Sequence, residues 1–271
     1  MKIAIIILNY ITYRETLCMV RSLQPLIKGY DAEIIVVDNA SPNRSGEVLK
    51  AHAKDGYHFI GAPENRGYAA GNNIGLRYAK ERGATYAWVL NNDVTFPDRN
   101  LLPALLEVLQ KQTDVAAVSP DVYSGEGYLY NRELVRPTWM DLTFGLLQYR
   151  KKGRNAGKKD WCYAYRVQGC CFLADIEKLE QCGYLDENTF LYYEEAILAE
   201  RLRRKKYRCA CVTKTKVIHR HSTTVLQNIG KSGYRRAYKK SYAYYLKEYR
   251  RFPLWQQLLC KAFFAVKVYF I

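Results

Sequence analysis

The chain has 271 residues, of which 49% are hydrophobic, and it carries a formal net charge of +16. This apolar content is sufficient for a full hydrophobic core, which excludes a disordered chain and favours one large domain or a domain with an appendage. The positive charge favours an anionic partner such as a nucleotide, a nucleic acid or an anionic lipid. From residue 229 onward the chain has ten basic residues and one acid, so the excess charge belongs mainly to the C-terminal segment.

Cysteine spacing and hydropathy indicate a cytosolic protein. The eight cysteines follow no spacing typical of a disulfide scaffold, so we interpret them as reduced thiols. The N-terminal run MKIAIIILNY is too short for a signal peptide with its cleavage site and is better explained as a first strand. No stretch of 18 uncharged apolar residues occurs, so we expect no membrane span.

Short apolar runs alternate with segments of helical periodicity over the first 120 residues. Strands are predicted at residues 3–8, 34–37, 57–60, 86–90 and 115–118. Helices are predicted at residues 13–28, 45–54, 71–82 and 100–111. This alternation is typical of βαβ units, and it predicts an α/β fold with a mostly parallel central sheet.

The alternation stops near residue 120. Residues 121–166 predict irregular structure and include a basic, glycine-containing stretch at 149–161. We interpret that stretch either as a solvated linker or as a lid or acceptor-contacting loop. Regular elements then resume at residues 167–174, 175–182, 192–207 and 208–219, the first and last of them as strands.

Acidic side chains follow two of the predicted strands. EIIVVD ends at Asp38, and WVLNND ends at Asn91-Asn92-Asp93. Open α/β sheets bind ligands at the carboxyl ends of their strands, so both carboxylates are expected in one cleft. Between them, Gly67 and Gly71 allow close backbone approach to a ligand.

A pair of adjacent acids, Glu194 and Glu195, opens the helix that follows FLYY at residues 190–193. Acids in a first helical turn are favoured by the helix dipole, so helix stabilisation alone explains them. The aromatic stretch before them would also desolvate one acid and raise its pKa, as a general base requires. Spacing alone leaves both explanations open.

Two histidines lie near the end of the last predicted strand. In an extended segment His219 and His221 share a face, and either could join Asp93 around a divalent ion. Cys209 and Cys211 also share a face. Together with the histidines, however, they match no standard zinc pattern.

Six motifs in order resemble a known family. They are NY near the start, VVDNAS, ENRGYAAGNNIG, VLNNDV, the run from VQGCC to LRRKKY, and VIHRHST. Together they resemble the family 2 inverting glycosyltransferases of GT-A fold, and most closely the bacterial rhamnosyltransferase-like branch. The resemblance covers residues 1 to about 225. It implies a single Rossmann-like domain at residues 1–226, followed by an amphipathic helical tail at residues 227–271.

The resemblance also implies roles for particular residues. Glu195 would be the catalytic base, with Glu194 beside it. Asp93 and His219 would hold Mg²⁺ or Mn²⁺. The nucleotide sugar would be bound by Asn9, Tyr10, Asp38, Arg66, Asn91 and Asp93. Three positions depart from the family pattern, since Asn91 and Glu195 stand where Asp is usual and Ile197 replaces a third acid.

The implied reaction is transfer of a sugar from a nucleoside-diphosphate donor, such as dTDP-rhamnose or a UDP-hexose. The acceptor would be a hydroxyl of a lipid-linked or surface-polysaccharide glycan, and the anomeric configuration would invert. Two alternatives stay open. The departures at Glu195 and Ile197 would fit a catalytically impaired GT-A scaffold, and the positive charge would fit a nucleic-acid-binding or nucleotidyl-transferring protein.

The C-terminal tail separates aromatic from basic side chains. Over residues 234–252 the tyrosines occupy one arc of a helix and the basic residues the other, and an apolar segment follows Pro253. This pattern favours in-plane attachment to the cytoplasmic face of an anionic membrane over a docking helix or a homodimer contact. Because single-strand binders interleave the two residue types, no nucleic-acid partner is expected.

Overall fold

A single mixed sheet organises the part of the chain that the computed structural model describes, residues 1–130, 132–144, 159–220 and 224–269. Its strands are β1 (Ile3–Asn9), β2 (Ala32–Asp38), β3 (His58–Gly61), β4 (Tyr86–Asn91), β5 (Val94–Thr95), β6 (Val115–Ser124), β7 (Trp161–Ala164), β8 (Cys171–Asp175) and β9 (Arg208–His219). The order is β3-β2-β1-β4-β8-β6-β9-β5, with β7 paired to β9. This arrangement confirms the predicted α/β fold with a mostly parallel central sheet, and the antiparallel pairings of β5, β7 and β8 make that sheet mixed.

Helices cover the sheet and extend beyond it. They are α1 (Tyr13–Ile27), α2 (Ser45–Ala51), α3 (Tyr68–Glu81), α4 (Leu101–Lys111), α5 (Trp139–Phe144), α6 (Ile176–Gln181), α7 (Glu194–Arg204), α8 (Thr224–Tyr244) and α9 (Leu254–Tyr269). A 3-10 turn lies at Ala53–Asp55 and a π-helical turn at Tyr245–Tyr249. Helix α8 is kinked at Gly230, whose φ of 61° is non-helical.

Every element predicted before residue 120 is present, whereas the region after it is more regular than expected. Strand β6 continues to Ser124, and the short elements α5 and β7 lie where irregular structure was predicted. Positions 149–158 of the predicted basic loop lie outside the described residues. None of the described helices is both long and apolar enough to cross a bilayer.

The register of the parallel strands brings three strand ends to one edge of the sheet. Strand β1 pairs in parallel with β2 on one side and β4 on the other, which places Asn9 opposite Asp38 and Leu8 opposite Asn91. The central residues of β1, β2 and β4 are buried because alternate side chains face two separate apolar layers. Burial on both faces explains why these runs read as continuous Ile and Val rather than as an alternating pattern.

The C-terminal helices pack against α7 through an aromatic cluster. Its buried members are Ala196, Ile197, Tyr242, Tyr245, Leu246, Tyr249, Cys260 and Phe264. Tyr242 and Tyr245 are each only 1% exposed. The expectation that the tyrosine face of residues 234–252 contacts lipid is therefore wrong, because protein already covers that face.

Buried polar contacts reinforce this packing. Asp186 is 1% exposed and accepts hydrogen bonds from the hydroxyls of Tyr244, at 2.9 Å, and Tyr249. Arg201 of α7 lies 3.1 Å from the same carboxylate. A buried carboxylate costs free energy unless it is paired, so these contacts hold the loop before α7, α7 itself and the C-terminal helices together.

We expect Tyr242→Ala to lower the free energy of unfolding by about 3 to 5 kcal/mol, the usual range for removing a buried aromatic side chain. The substitution also removes the hydrogen bond from the Tyr242 hydroxyl to the Leu142 carbonyl. Tyr128→Ala is the matched control, since Tyr128 is 71% exposed. Urea denaturation measures both variants, and equal stability of the two would contradict the packing of α8.

Candidate active site

A hydrogen-bonded carboxylate lies at the end of β2. Asp38 Oδ1 accepts hydrogen bonds from Asn9 Nδ2 and from Ser41 Oγ, each at 2.6 Å, and its Oδ2 accepts one from the Ser41 backbone N–H at 3.0 Å. Asp38 is 5% exposed. These bonds fix the orientation of the carboxylate at the edge of the cleft. Asn9 and Asp38 thus meet as predicted, whereas the sequence did not reveal Ser41.

Thr16 connects the end of β1 to the turn after β4. Its hydroxyl donates to Asn9 Oδ1 at 2.8 Å and accepts from Asn92 Nδ2 at 2.9 Å. Thr16 is fully buried in α1, so the network is shielded from water. The side chain of Asn92, the middle residue of Asn91-Asn92-Asp93, is therefore held by structural contacts with α1 and the residue before it.

The backbone at these strand ends adopts an uncommon conformation. Ile11 has φ of 58° and Ala40 has φ of 53°, both in the left-handed region. That region is unfavourable for a β-branched residue such as Ile. A hydrogen bond of 2.8 Å from the Ile11 N–H to Ser41 Oγ holds the turn. Such conformations cost free energy and cluster at ligand-binding sites.

Asp93 and His219 lie side by side. Strand β5 pairs antiparallel with the end of β9, with Val94 opposite His219, and Arg220 N–H donates to the Asp93 carbonyl at 3.0 Å. This pairing places His219 Nε2 3.0 Å from Asp93 Oδ1. Both side chains are mostly buried, at 12% exposed. The structure thus brings together the two residues predicted to hold a metal, although they are 126 positions apart.

The donor set of this pair fits a divalent cation that is shared with a phosphate ligand. A carboxylate oxygen and an imidazole nitrogen both bind divalent ions such as Mn²⁺. Within the described residues, no cluster of three or more His, Cys, Asp and Glu side chains could hold a metal. Mg²⁺ typically takes one or two carboxylates and completes its coordination with water and substrate phosphates. His221 lies outside the described residues, and Cys209 and Cys211 are buried in β9.

Glu195 is held by the backbone of a neighbouring turn. Its Oε1 accepts a hydrogen bond from the Gly169 N–H at 3.1 Å, and its Oε2 lies 3.1 Å from Arg166 Nη1. Arg166 also forms two hydrogen bonds, of 2.8 and 2.9 Å, with Glu133. The Glu195 side chain remains 23% exposed. It is therefore oriented by fixed partners and still open to the cleft.

The same turn joins Glu195 to the sheet. Cys170 carbonyl accepts from the Asn91 N–H at 2.9 Å, and Gly169 carbonyl accepts from the Tyr68 hydroxyl at 2.6 Å. A side chain at position 169 would place its Cβ 2.1 Å from Glu195 Oε1, so any residue other than glycine would displace this carboxylate. The adjacent acids and the Asn91-Asn92-Asp93 motif are thereby brought to one edge of the sheet.

Glu194 and Glu195 differ sharply in their surroundings. Glu194 is 4% exposed, whereas Glu195 faces the cleft. Burial raises the pKa of Glu194, and the adjacent carboxylate of Glu195 raises it further. Tyr192 and Tyr193, with φ of 73° and 69°, form the left-handed turn that begins α7 just before the two acids. Of the two, Glu195 has the access that a general base needs.

The remaining predicted residues occupy the rim. Tyr10 and Asn91 are partly exposed at the ends of β1 and β4. Arg66 is half exposed, and its Nη1 lies 3.4 Å from Glu187 Oε2. Ile197, which stands where a third acid was expected, is fully buried in the aromatic cluster of the C-terminal helices. The side chain at this position therefore contributes to packing the C-terminal helices and lies away from solvent.

Sequence comparisons identify relatives of this chain. Residues 4–173 match the family model described as Glycosyl transferase family 2. The low-salt glycan biosynthesis hexosyltransferase Agl10 of Haloferax volcanii is 31% identical over 204 residues, which make up 75% of this chain and 62% of that protein. The chain thus spans less than two thirds of the length of this relative.

Solved structures share the fold. The mannosyltransferase PcManGT from Pyrobaculum calidifontis, in complex with GDP-Man and Mn²⁺, matches 98% of this chain and 75% of its own, with a TM-score of 0.63 at 16% identity. GalNAc-T7 with UDP, GalNAc and Mn²⁺ matches 97% of this chain and 54% of its own, with a TM-score of 0.61 at 16% identity. At these identities the likeness concerns the fold, and it confirms the GT-A architecture.

We expect Glu194→Gln to make the protein less sensitive to alkaline pH. A folded-state pKa above the unfolded value means that the native state holds an extra proton, so the free energy of unfolding falls as pH rises from about 4.5 toward the raised value. The amide has no charge to bury. Melting temperatures across this range should show a growing advantage of the variant over the wild type. Glu81→Gln, at an exposed position, should show none.

Proposed function

We propose that this chain, which belongs to glycosyl transferase family 2, transfers a hexosyl residue from a nucleoside-diphosphate donor to a hydroxyl acceptor with inversion at the anomeric carbon. The observation that carries the proposal is the position of Glu195. This acid is oriented by Gly169 and Arg166 beside the strand ends that carry Asp38 and Asp93.

The proposed reaction is a single displacement. Glu195 accepts the proton of the acceptor hydroxyl as its oxygen attacks the anomeric carbon. The bond from that carbon to the diphosphate oxygen breaks, and the nucleoside diphosphate leaves with the electron pair. The extra methylene of Glu over Asp is compatible with this role because the Gly169 N–H and Arg166 already fix where the carboxylate lies.

Asp93 and His219 are the residues that would hold Mg²⁺ or Mn²⁺. Their separation of 3.0 Å and the nature of the two donors support this assignment. A cation there would offset negative charge on the leaving diphosphate. For the rest of the donor, Asp38 offers a fixed polar edge for the base or ribose, and Asn9, which is fully buried, orients that carboxylate. Tyr10, Arg66 and Asn91 line its rim.

The proposed sugar and acceptor are supported by the named relative and by motif resemblance, and not by the geometry of the site. The Haloferax relative is named a hexosyltransferase of glycan biosynthesis, which supports a hexose and a glycan acceptor. A UDP-hexose and dTDP-rhamnose are the donors to test first, and the acceptor is a lipid-linked or surface-polysaccharide glycan at the cytoplasmic face of the membrane. Rhamnosyl transfer rests on motif resemblance alone.

We expect Glu195→Gln to lower transfer by roughly 10²-fold or more, the usual scale for loss of a general base, while donor binding is retained. Glu194→Gln is the matched control, because it makes the same chemical change one residue away at a buried position and should reduce transfer less. Radiolabelled sugar transfer and donor titration measure the two effects separately. A dead Glu194→Gln beside an active Glu195→Gln would reverse the assignment of roles.

We expect Asp93→Asn to abolish the metal-dependent part of donor binding, and His219→Ala to weaken it. A thermal-shift titration with UDP-glucose or dTDP-rhamnose, with and without Mn²⁺, measures this directly because a bound ligand raises the melting temperature. Asp31→Asn, at an exposed loop remote from these strand ends, should leave the shift unchanged. Equal donor shifts with Mn²⁺ and with excess EDTA would show that the donor binds without a cation.

A further inference from the structure

Helix α9 exposes an apolar stripe along its length. The exposed members of the stripe are Leu254, Trp255, Leu258, Leu259, Ala262 and Phe263. Successive members are alternately one and three positions apart, a spacing that keeps them on one side of an α-helix. Leu254 is 68% exposed, and Trp255 and Leu258 are 55% and 56% exposed. Large apolar side chains grouped in this way on an open surface usually mark a contact site.

The opposite side of α9 already has its partner. Cys260 is fully buried, and Phe264 is 7% exposed with its ring 4.1 Å from that of Tyr242. The helix is therefore apolar on both sides, and the aromatic cluster covers only one. On the stripe itself, Trp255 and Phe263 contact α5, whereas Leu254, Leu258 and Leu259 remain 68%, 56% and 40% exposed.

Helix α5 widens the stripe into a surface. Met140 is 47% exposed and Phe144 is 43% exposed. Phe144 packs edge-on against Phe263, with ring centroids 5.0 Å apart, and Trp139 packs edge-on against Trp255 at 5.5 Å. We refer to the stripe of α9 together with Met140 and Phe144 as the α5–α9 surface. Because two helices contribute to it, it is broader than a single helix face.

The charge around the α5–α9 surface favours an anionic occupant. Arg251 and Lys247 are exposed just before α9, and Lys261 is partly exposed within it. Glu248 is the single acid between residue 229 and the end of the chain, against ten basic residues. A second copy of this chain would bring the same positive charge to the contact, and like charges repel. An anionic lipid surface attracts it.

We propose that the α5–α9 surface lies in the interfacial region of an anionic phospholipid bilayer, with Trp255 and Leu258 among the inserted side chains. Helix α9, at 16 residues, lies in the plane of the membrane rather than crossing it. The aromatic face of α8 takes no part, because it is buried in the protein.

This placement has a consequence for the active site, and that consequence rests on the proposed function. The Tyr193 ring, next to Glu194 in sequence, lies 6.4 Å from the Phe264 ring of α9. One layer of aromatic rings therefore separates the base-bearing helix α7 from the membrane-facing helix. An acceptor carried on a membrane lipid would therefore be held close to the helix that carries Glu195.

The test is co-sedimentation with phosphatidylcholine vesicles that contain phosphatidylglycerol, without donor or acceptor. Replacing Leu254, Leu258 and Leu259 together with Ser should weaken binding roughly tenfold or more, because interfacial binding scales with inserted apolar area. The matched control replaces Tyr128 and Val135, each 71% exposed but outside the α5–α9 surface, and should bind like the wild type. Unchanged melting temperatures would confirm that the triple variant is folded.

Fluorescence of the unmodified protein gives a second readout that does not depend on a variant folding. Brominated phospholipids in the vesicles should quench tryptophan emission, and Trp255→Phe should remove most of the quenching. Vesicle binding that persists in the triple variant, or quenching unaffected by Trp255→Phe, would overturn the proposal. So would a wild-type dimer that becomes monomeric in the triple variant, since a second copy would then be the occupant. Sugar transfer to a soluble acceptor is measured separately and tests the proposed function alone.

Discussion

The contact between the Gly169 N–H and the Glu195 carboxylate is the constraint on which the site depends. The turn that carries Gly169 is fixed to the sheet, because the carbonyl of Cys170 accepts from the Asn91 N–H. A backbone donor has little freedom of movement, so the distance of the acid from the strand ends is set by the sheet. The absence of a Cβ at position 169 allows this approach, since a methyl group would overlap the carboxylate.

Glu194 and Glu195 differ in their exposure to solvent, and therefore in how readily each carboxyl group is ionised. Glu194 is buried and forms no ion pair among the described residues, and its pKa is raised, whereas Glu195 has Arg166 and the cleft beside it. Environments that give two neighbouring acids different pKa values are a common basis for distinct catalytic roles. Asp186 is a further buried carboxylate, and its pKa is shifted in the opposite direction from that of Glu194. Burial alone would raise its pKa, but hydrogen bonds from Tyr249 and Asn188 and the charge of Arg201 lower it overall.

The C-terminal helices belong to the same cooperative structure as the site. Glu200 of α7 is 3% exposed and accepts two hydrogen bonds from Arg136, at 2.7 and 2.8 Å, and one from Tyr165 at 2.9 Å. The Tyr165 hydroxyl in turn lies 2.7 Å from that of Tyr245. Removing the helices would take the Tyr244 and Tyr249 hydroxyls from Asp186 and would expose the apolar face of α7 to water. The helix that carries Glu195 is therefore stabilised by the helices behind it.

The sequence by itself determined the sheet, its order of elements and the acids at its strand ends. Apolar runs and helical periodicity are local signals, and parallel strands end at one edge, so Asp38 and Asp93 were expected in one cleft. The motifs then predicted Glu195 and His219 as their partners. The short elements α5 and β7 were missed because they lie within residues 121–166, where no alternation of apolar runs and helical segments marks them.

Only the tertiary structure decided which side chains meet at a distance. Gly169 and Arg166 reach Glu195 from 26 and 29 positions away, and no local pattern records such a contact. The tertiary structure also decided which faces of the C-terminal helices are buried. An aromatic helix face has the same periodicity whether it enters a bilayer or packs on protein, because both are apolar surroundings. In the structure the tyrosine face of α8 is buried, because Ala196 and Ile197 of α7 offer it an apolar surface. The leucine-bearing side of α9 has no such surface opposite it among the described residues and remains exposed.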